Sequence, residues 1–217
     1  MNVTDAVARR SSIRSFLEES VSDDLLRELL SKASRAPSGG NLQPWRVFVL
    51  NGEKLSEFKQ FLQSAEGQRA PEYTIYPAEL KSPYRDSRFK VGEDMYTLLG
   101  IPREDKQARF AHLARNYEFF GAPAAFFCFV DKQMGPPQWS DLGMFLQTFM
   151  LLAVEAGLDT CAQEAWAMRS QAVAEFVQAD EDLMLFCGMA IGKRNPEAPV
   201  NTLYSDREGL ETWATFV

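Results

Sequence analysis

The sequence predicts one α+β domain over residues 1–217. Three apolar segments have the length and composition of buried strands, and helices separate them without the regular rhythm of a parallel βαβ chain. The chain is 46% hydrophobic, which is enough to bury one full core. Acidic side chains outnumber basic ones by 30 to 23, and no basic run indicates a nucleic-acid surface.

The N-terminal part of the chain predicts three helices and one strand. Residues 2–10 form a short helix whose final arginines suit the negative end of the helix dipole. Ser22 is a typical N-cap, and leucines at helical spacing follow it, so residues 22–35 are predicted as an amphipathic helix. The aromatic and branched run at 45–50 predicts a strand, and residues 53–64 predict a helix.

Residues 66–105 differ from the rest of the chain. They contain four prolines and five aromatic residues, and their apolar positions follow no clean period. A long segment without regular structure often serves as a lid or a binding loop, so we expect it to cover a substrate site. A surface excursion with short helices is the open alternative.

The second half of the chain predicts two further strands, three helices and a tail. Continuous apolar runs are typical of strands that are buried on both faces. Ser140 reads as an N-cap with Asp141 in the first turn, so the long helix is expected to start at 141. The polar tail carries aromatic residues that need burial, for example against a neighbouring subunit. The predicted elements are helix 103–120, strand 124–130, helix 141–156, helix 169–178, strand 183–191 and tail 195–217.

The sequence lacks the side-chain sets that hydrolytic, metal or nucleotide chemistry usually needs. His112 is the single histidine and the three cysteines form no C-x-x-C pair, so neither a Ser-His-Asp triad nor a zinc site is indicated. Cys161 is the only cysteine near a suspected site. Neither a P-loop nor a Gly-x-Gly-x-x-Gly pattern occurs. We therefore expect a cofactor to supply the reactivity, and we expect no metal.

The expected compartment is the cytoplasm. Residues 1–10 hold no apolar signal-peptide core, and the odd number of cysteines gives no disulfide framework. The longest apolar region, 142–158, is interrupted by Gln147, Thr148 and Glu155, which favours a buried helix over a membrane span. No membrane partner is expected.

Two polar segments are candidates for ligand binding. Residues 9–16 hold three arginines and three serines, whose donors suit a phosphate, although a solvated basic turn has the same composition. Residues 36–45 hold two glycines that let the backbone approach a flat ligand, with Asn41 and Gln43 as amide donors. A helix stop followed by a turn is the simpler interpretation of that second segment.

In this order and at this spacing, the two segments resemble the nitroreductase family. That family has an R-x-S-[ITV]-[RK] segment, one amphipathic helix, and then A-P-S-x-x-N-x-Q-P-W leading into a strand. Its later blocks are a G-L-x-[ST] turn and a G-x-x-x-G…P-x-N…R ending. Runs 135–141 and 161–166 are similar to the nitrobenzoate reductase branch. The matching residues are 10–14, 36–45, 157–160, 188–192, 199–201 and Arg207.

The resemblance implies a three-layer fold, in which helices flank a central, mainly antiparallel sheet. It also implies a homodimer with an extended C-terminal tail and one FMN at each subunit interface. The implied activity passes hydride from NAD(P)H through FMN N5 to a small aromatic acceptor, most simply a nitroarene reduced to the hydroxylamine, with ping-pong kinetics. Reductive dehalogenation or enone reduction on the same scaffold, and non-catalytic flavin binding, remain alternatives.

The resemblance also assigns residues to the cofactor. No side chain need act as a catalytic base, because flavin N5 would carry the chemistry. Arg14 would reach the pyrimidine edge of the flavin, and Ser205 stands where other members carry a lysine. Arg115 and Asn116 are further candidates. An acceptor pocket would use Trp139, Tyr73, Tyr84 and Phe89, each of which is equally suited to core or lid packing. The residues expected to bind the phosphate are Arg10, Ser11, Ser12, Ser205 and Arg207. Those expected to reach the ring from the partner subunit are Pro37, Ser38, Gly39 and Asn41, and those expected to lie along the ring are Gln163, Glu164 and Ala165.

Overall fold

The fold is built on a four-stranded sheet with the strand order β1-β2-β4-β3, and every pairing is antiparallel. The computed structural model describes residues 1–65 and 71–217. The central pair, β2 and β4, buries apolar side chains along almost its whole length, as the continuous apolar runs predicted. The strands are β1 (Arg46–Asn51), β2 (Ala124–Asp131), β3 (Asp159–Gln163) and β4 (Leu183–Gly192).

Eight α-helices surround the sheet in the described part of the chain. Asn2 accepts a hydrogen bond from the Asp5 N–H at the start of α1, and Ser22 Oγ caps α2 at 3.2 Å from Leu25 N, as predicted. The helices are α1 (Val3–Arg9), α2 (Asp23–Ala33), α3 (Glu53–Ser64), α4 (Tyr84–Leu98), α5 (Lys106–Ala114), α6 (Pro136–Glu155), α7 (Ser170–Val177) and α8 (Leu210–Trp213).

Side chains of β2 alternate between two apolar clusters, which gives the fold its three layers. Phe126 and Cys128 pack with residues of α2 and α6 on one face. Phe127 and Phe129 pack with residues of α3 and α7 on the other. Because successive strand residues point to opposite faces, one apolar run supplies both cores. The expected α+β arrangement of a sheet between helical layers is confirmed.

Two predicted helix boundaries are wrong, and one strand was not predicted. The long helix α6 starts at Pro136, because proline suits the first turn of a helix, and Ser140 inside it donates to the Pro137 carbonyl at 2.6 Å. The predicted helix 103–120 ends at Ala114 and gives way to a tight 3-10 segment, Arg115–Gly121. Strand β3 was not predicted: residues 159–163 are short and mostly polar, and they form a strand by pairing with β4.

The segment 66–105 contains a regular helix rather than only irregular structure. Helix α4 runs for 15 residues without one buried side chain, which explains why its sequence shows no apolar period. A two-bond ion pair from Arg109 to Glu93 holds it to α5. The part of the predicted lid at 66–70 lies outside the described residues. Among the helices that are described, none is long and apolar enough to cross a membrane.

Candidate functional site

The N-terminal segment lies along β3 and is tied to the C-terminal segment. Ile13, which is fully buried, donates its N–H to the Thr160 carbonyl at 3.0 Å, and Ser12 forms a parallel bridge to the same residue. Asn201 Oδ1 accepts a hydrogen bond from the Arg14 N–H at 2.9 Å, and its amide donates to the Ser15 carbonyl at 2.7 Å. These bonds bring the two ends of the chain to one place.

A cavity of about 510 Å³ lies where the two ends meet. It contains six of the residues that the sequence assigned to a phosphate and flavin site, of which four come from the N-terminal segment and two from the tail. The helices α1, α4 and α6 close its sides. The lining residues are Val7, Ala8, Arg10, Ser11, Ser12, Arg14, Val91, Gln147, Leu203, Tyr204, Ser205 and Arg207.

The cavity is positively charged and has no acidic side chain in its lining. Burial lowers the pKa of Arg10, and the nearby charge of Arg207 lowers it further. Arg207 donates to Ser205 Oγ at 2.8 Å, while Arg14 donates to the Ser12 carbonyl at 3.2 Å. Within residues 1–65 and 71–217, none of these three arginines forms an ion pair. Three uncompensated guanidinium groups around one cavity favour an anionic ligand.

Cys161 lies beside this cluster, on β3. Its thiol is buried, and burial raises its pKa, while the charges of Arg14 and Arg10 act in the opposite direction. The net effect keeps the thiol protonated near neutral pH. A protonated, buried thiol is a poor nucleophile, which argues against covalent chemistry at this cysteine.

The turn after β3 is held by a buried amide. Gln163 Nε2 donates to the Asn116 backbone oxygen at 2.8 Å and to Asn116 Oδ1 at 3.2 Å. Gln163 Oε1 accepts from Trp166 Nε1 at 3.3 Å. The side chain of Gln163 is thereby fully engaged, which leaves only its backbone for the ligand contact that the sequence assigned to it. Burial raises the pKa of Glu164, which follows it.

The segment 37–41 lies at the N-terminal end of α6 and does not line the 510 Å³ cavity. The Gly39 N–H donates to both carboxylate oxygens of Asp141, at 3.2 and 3.3 Å. Ser38 Oγ accepts a hydrogen bond from the Gln43 N–H at 3.0 Å. Pro37 and Asn41 are exposed. One chain alone therefore does not unite this predicted set with the phosphate set.

The four predicted acceptor-pocket residues fall into two separate groups. Tyr73 and Trp139 pack edge to face, with ring centroids 5.7 Å apart, and the Tyr73 hydroxyl donates to the Phe186 carbonyl. Both belong to the margin of the α6-side core. Tyr84 and Phe89 are exposed on α4, at 71% and 51%. Burial raises the pKa of Tyr73.

Sequence reasoning missed six of the twelve residues that line the cavity, among them Gln147 and Val91, and it did not find the role of nearby Asn201. Gln147 was noted only as a polar interruption of an apolar helix, and that interruption was the available signal. Val91 lies on α4, where no period was visible. Asn201 was part of a matched motif, but its hydrogen bonds to the N-terminal segment depend on the fold.

Comparisons with known proteins indicate one family. The Nitroreductase family model matches residues 7–193. The 4-nitrobenzoate reductase of Pseudomonas putida is 34% identical over 97% of this chain and 93% of its own length. The nitrobenzene nitroreductase of Ectopseudomonas oleovorans is 32% identical over 99% and 96%.

Two solved structures have a fold similar to that of this chain. The FMN and NADPH-dependent nitroreductase NfnB from Sphigopyxis sp. strain HMH superposes with a TM-score of 0.95 and is 43% identical, covering 100% of this chain and 99% of that one. The FMN-dependent NfnB from Mycobacterium smegmatis, in complex with NADPH, has a TM-score of 0.91 at 24% identity over the full length of both chains. With these matches over almost its whole length, the chain belongs to the nitroreductase family.

Proposed function

We propose that this protein is an FMN-dependent oxidoreductase that uses NAD(P)H to reduce a small aromatic nitro compound to the hydroxylamine. The observation that carries the proposal is the cavity in which Arg10, Arg14 and Arg207 converge without an acidic partner. A phosphate monoester carries nearly two negative charges at neutral pH. Two convergent arginines on a protein with a net charge of −7 fit such a group.

The donor set also fits the rest of FMN. Arg10 and Arg207 would hold the phosphate, with hydroxyls from the flanking serines. Arg14 would contact the pyrimidine edge, where reduced flavin gathers negative charge. The backbone of the turn at 163–165, fixed by the Gln163 amide, would lie along the ring. The hydroxyls are those of Ser11, Ser12 and Ser205.

The relatives support both the cofactor and the substrate class. The solved structure at 43% identity is of a nitroreductase described as FMN- and NADPH-dependent, and the matched curated proteins reduce 4-nitrobenzoate, nitrobenzene or chloronitrobenzene by name. Each of these acceptors is a nitro group on a single benzene ring. We therefore place the substrate of this chain in the same class.

A homodimer would complete the site. Large apolar side chains are exposed on the single chain, including Tyr204 at 81%, Trp213 at 71% and Phe216 at 88% in the tail. Val3 and Val7 on α1 and Met144 on α6 are exposed as well. Exposure of this many large apolar side chains is typical of a protein–protein interface. A second copy that covers it would bring its own Pro37, Ser38, Gly39 and Asn41 to the flavin.

In the working enzyme, the side chains of this chain bind and orient rather than exchange protons. FMN held there would supply two-electron transfer from NAD(P)H to the acceptor, and the hydroxylamine would require two such rounds. Ping-pong kinetics follow if donor and acceptor stack on the same face of the ring. Helix α4 would act as the lid, with Tyr84 and Phe89 available to the acceptor. Tyr73 and Trp139 would support the pocket from the core side. A cytoplasmic location stays a prediction.

The test is the visible spectrum of the purified, FMN-loaded protein during anaerobic addition of NADH or NADPH and then 4-nitrobenzoate. We expect flavin bands that bleach with the nicotinamide and return with the nitroarene, and parallel lines in double-reciprocal plots. Bands that never bleach would identify a non-catalytic flavin binder. A protein that binds no FMN after the cofactor is supplied would overturn the proposal. Faster turnover of a halogenated phenol or an enone than of the nitroarene would replace nitroarenes as the proposed substrate class.

A further inference from the structure

We infer that Arg194 is a positioning residue for Arg10, and that it acts through a buried ion pair with Asp159 that holds the end of α1 beside the cavity. The inference rests on the proposed function, because the ligand that Arg10 would bind is the phosphate of FMN. Arg194 does not line the cavity, whereas Arg10 does. The motifs of the sequence give neither Arg194 nor Asp159 a role in the site.

Asp159 is a buried carboxylate at the start of β3, with 5% of its side chain exposed. Three donors of Arg194 reach it: the backbone N–H at 3.2 Å and Nε at 2.9 Å, both to Oδ2, and Nη2 to Oδ1. Because taking a carboxylate out of water is costly, a buried one needs a partner of this kind. Two parallel bonds from one guanidinium to one carboxylate also fix the plane of the guanidinium. Arg194 is therefore held in one orientation.

The fixed guanidinium contacts the peptide group that joins Arg9 to Arg10. Arg194 Nη2 donates to the Arg9 carbonyl at 3.4 Å, and the N–H of the same peptide group, on Arg10, donates to the Ala6 carbonyl at 2.9 Å. Since a peptide group is planar, these two contacts set the direction in which the chain leaves α1. The 3.4 Å bond is long, so its effect depends on a guanidinium that Asp159 already holds in place.

The backbone of Arg194 supports the other end of the same segment. Arg194 forms an isolated antiparallel bridge with Phe16. The N–H of Asn195, the next residue, donates to the Ser15 carbonyl at 3.0 Å. The side chain of Arg194 thus contacts the residue before segment 10–14, and its backbone pairs with a residue after that segment. One residue therefore supports both ends of the segment that carries the predicted phosphate donors.

Arg10 needs an external support of this kind. Burial lowers the pKa of Arg10, and the nearby charge of Arg207 lowers it further, so its guanidinium lies where a cation without an anion is unfavourable. It forms no ion pair with any residue that the structure describes. A backbone held by the Asp159–Arg194 pair keeps Arg10 at the cavity before the phosphate arrives. This lowers the cost of ordering the site when the ligand binds.

The experiment compares the Kd values of FMN and riboflavin, which differ only in the phosphate. The preference for FMN is defined as the Kd of riboflavin divided by the Kd of FMN. A general loss of structure weakens both ligands and leaves this preference unchanged, whereas a displaced phosphate donor weakens FMN alone. The free energy of unfolding is measured by urea denaturation on the same proteins.

The main variant is Arg194→Lys, which keeps a charge for Asp159 but lacks the planar fork that reaches Arg9 as well. We expect it to keep most of the wild-type stability and to lose the preference for FMN by roughly tenfold. The control is Lys193→Gln, which removes one positive charge at the adjacent position, where Lys193 forms an exposed ion pair with Glu19. The control should change neither quantity.

Two further comparisons show that the effect passes through Arg10. In an Arg10→Ala background, Arg194→Lys should change the preference for FMN by less than about twofold, because the side chain that it positions is absent. The double variant Asp159→Asn/Arg194→Gln removes both charges of the pair and leaves no unpaired carboxylate, and it should lose as much preference as Arg194→Lys. If Arg194→Lys does not fold, this double variant takes its place.

Two results would overturn the assignment of Arg194. One is a variant that keeps the wild-type preference for FMN, whether or not both ligands bind more weakly, since that would make the role of the pair purely structural. The other is an equal loss of preference with and without Arg10, since Arg194 would then act on another part of the site. A wild-type protein that binds FMN no more tightly than riboflavin, or binds neither, would instead remove the proposed function, so the two failures are distinguishable.

Discussion

Asn201 Oδ1 accepts a hydrogen bond from the Arg14 N–H at 2.9 Å and so joins two segments that lie 187 residues apart in the chain. The amide of the same side chain donates to the Ser15 carbonyl at 2.7 Å and to the Asn195 carbonyl at 2.9 Å. One partly buried asparagine thus satisfies three backbone groups from both ends of the chain. The register of Arg14 relative to the tail depends on it.

Replacing Asn201 with alanine is expected to destabilise the fold and to weaken cofactor binding together. The change leaves the Arg14 N–H without its partner, and it removes one of the two hydrogen bonds that each of the Ser15 and Asn195 carbonyls accepts. An orphaned group costs about 1–3 kcal/mol, and the two lost bonds add to this. We expect a loss of at least ~2 kcal/mol in the free energy of unfolding, measured by urea denaturation, and at least a tenfold rise in the Kd for FMN. Thr202→Ala removes an exposed hydroxyl that bonds only within its own turn, to Pro199, and should change neither quantity. Equal effects of the two variants would show that Asn201 has no special role.

Arg207 is expected to bind the cofactor phosphate while contributing little to stability. Its guanidinium is exposed and donates only to its own turn, at Ser205 and Asp206, so its removal frees no buried partner. A hydrogen bond to a charged group contributes about 1.5–3 kcal/mol, so Arg207→Ala should raise the Kd for FMN by roughly 10- to 100-fold. Fluorescence titration of FMN at two salt concentrations measures this, with Arg46→Ala as the exposed control. An unchanged Kd for Arg207→Ala would remove the tail from the phosphate site.

The buried thiols are expected to make the protein less stable in alkaline solution. Burial raises the pKa of Cys128 from 9.0 to about 12. Because the folded state holds this proton more tightly than the unfolded state, the stabilisation is complete below pH 9 and is lost as the pH rises toward 12. The slope contributed by this thiol is about 1.4 kcal/mol per pH unit.

Urea denaturation at pH 8.5, 9.5 and 10.5 checks this slope, with Cys128→Ala as the matched variant. Cys187 and Cys161 also have raised pKa values, so the variant should retain part of the alkaline loss and show a shallower decline than wild type. Parallel declines for the two proteins would mean that Cys128 does not titrate in the unfolding equilibrium.

Local sequence predicted the elements whose own residues decide their structure. Strands β2 and β4 are continuous apolar runs, and α2 has both a cap and a helical apolar stripe, so each was found close to its observed bounds. Strand β3 was missed because its buried Asp159 and Gln163 side chains bond with residues outside the strand, which the local sequence does not show. Asp159, for example, accepts from Arg194. Helix α4 was missed because no face of it is buried in the single chain.

The sequence likewise predicted one part of the candidate site and not another. The arginines and serines near residue 10 could be selected by type, because their donors suit a phosphate, and the resemblance to the nitroreductase family assigned them to the cofactor. The sequence could not show in which direction each side chain points. Gln163 belongs to a matched motif, yet its amide turns inward to Asn116 and Trp166, which only the fold reveals.

Gly188 links the packing of the sheet to the turn at 163–165, and alanine there is expected to be strongly destabilising. Gly188 is the cross-strand partner of Gln163, and a Cβ at this position would lie 2.3 Å from Cδ1 of Trp166. Trp166 is fully buried and donates to Gln163 Oε1, so it has no room to retreat without breaking that bond. Overpacking of this kind costs about 1–3 kcal/mol.

Gly92→Ala is the matched control for this substitution, because Gly92 lies in α4 and an added Cβ there meets nothing within 4 Å. Replacing a helical glycine with alanine should stabilise by about 0.5–1 kcal/mol, the opposite sign to Gly188→Ala. The measurements are the free energy of unfolding and the tryptophan emission maximum of each of the two variants. If Gly188→Ala unfolds at the wild-type urea concentration with unchanged emission, Trp166 can move freely, and the turn it supports is not held as tightly as the Gln163 hydrogen bonds require.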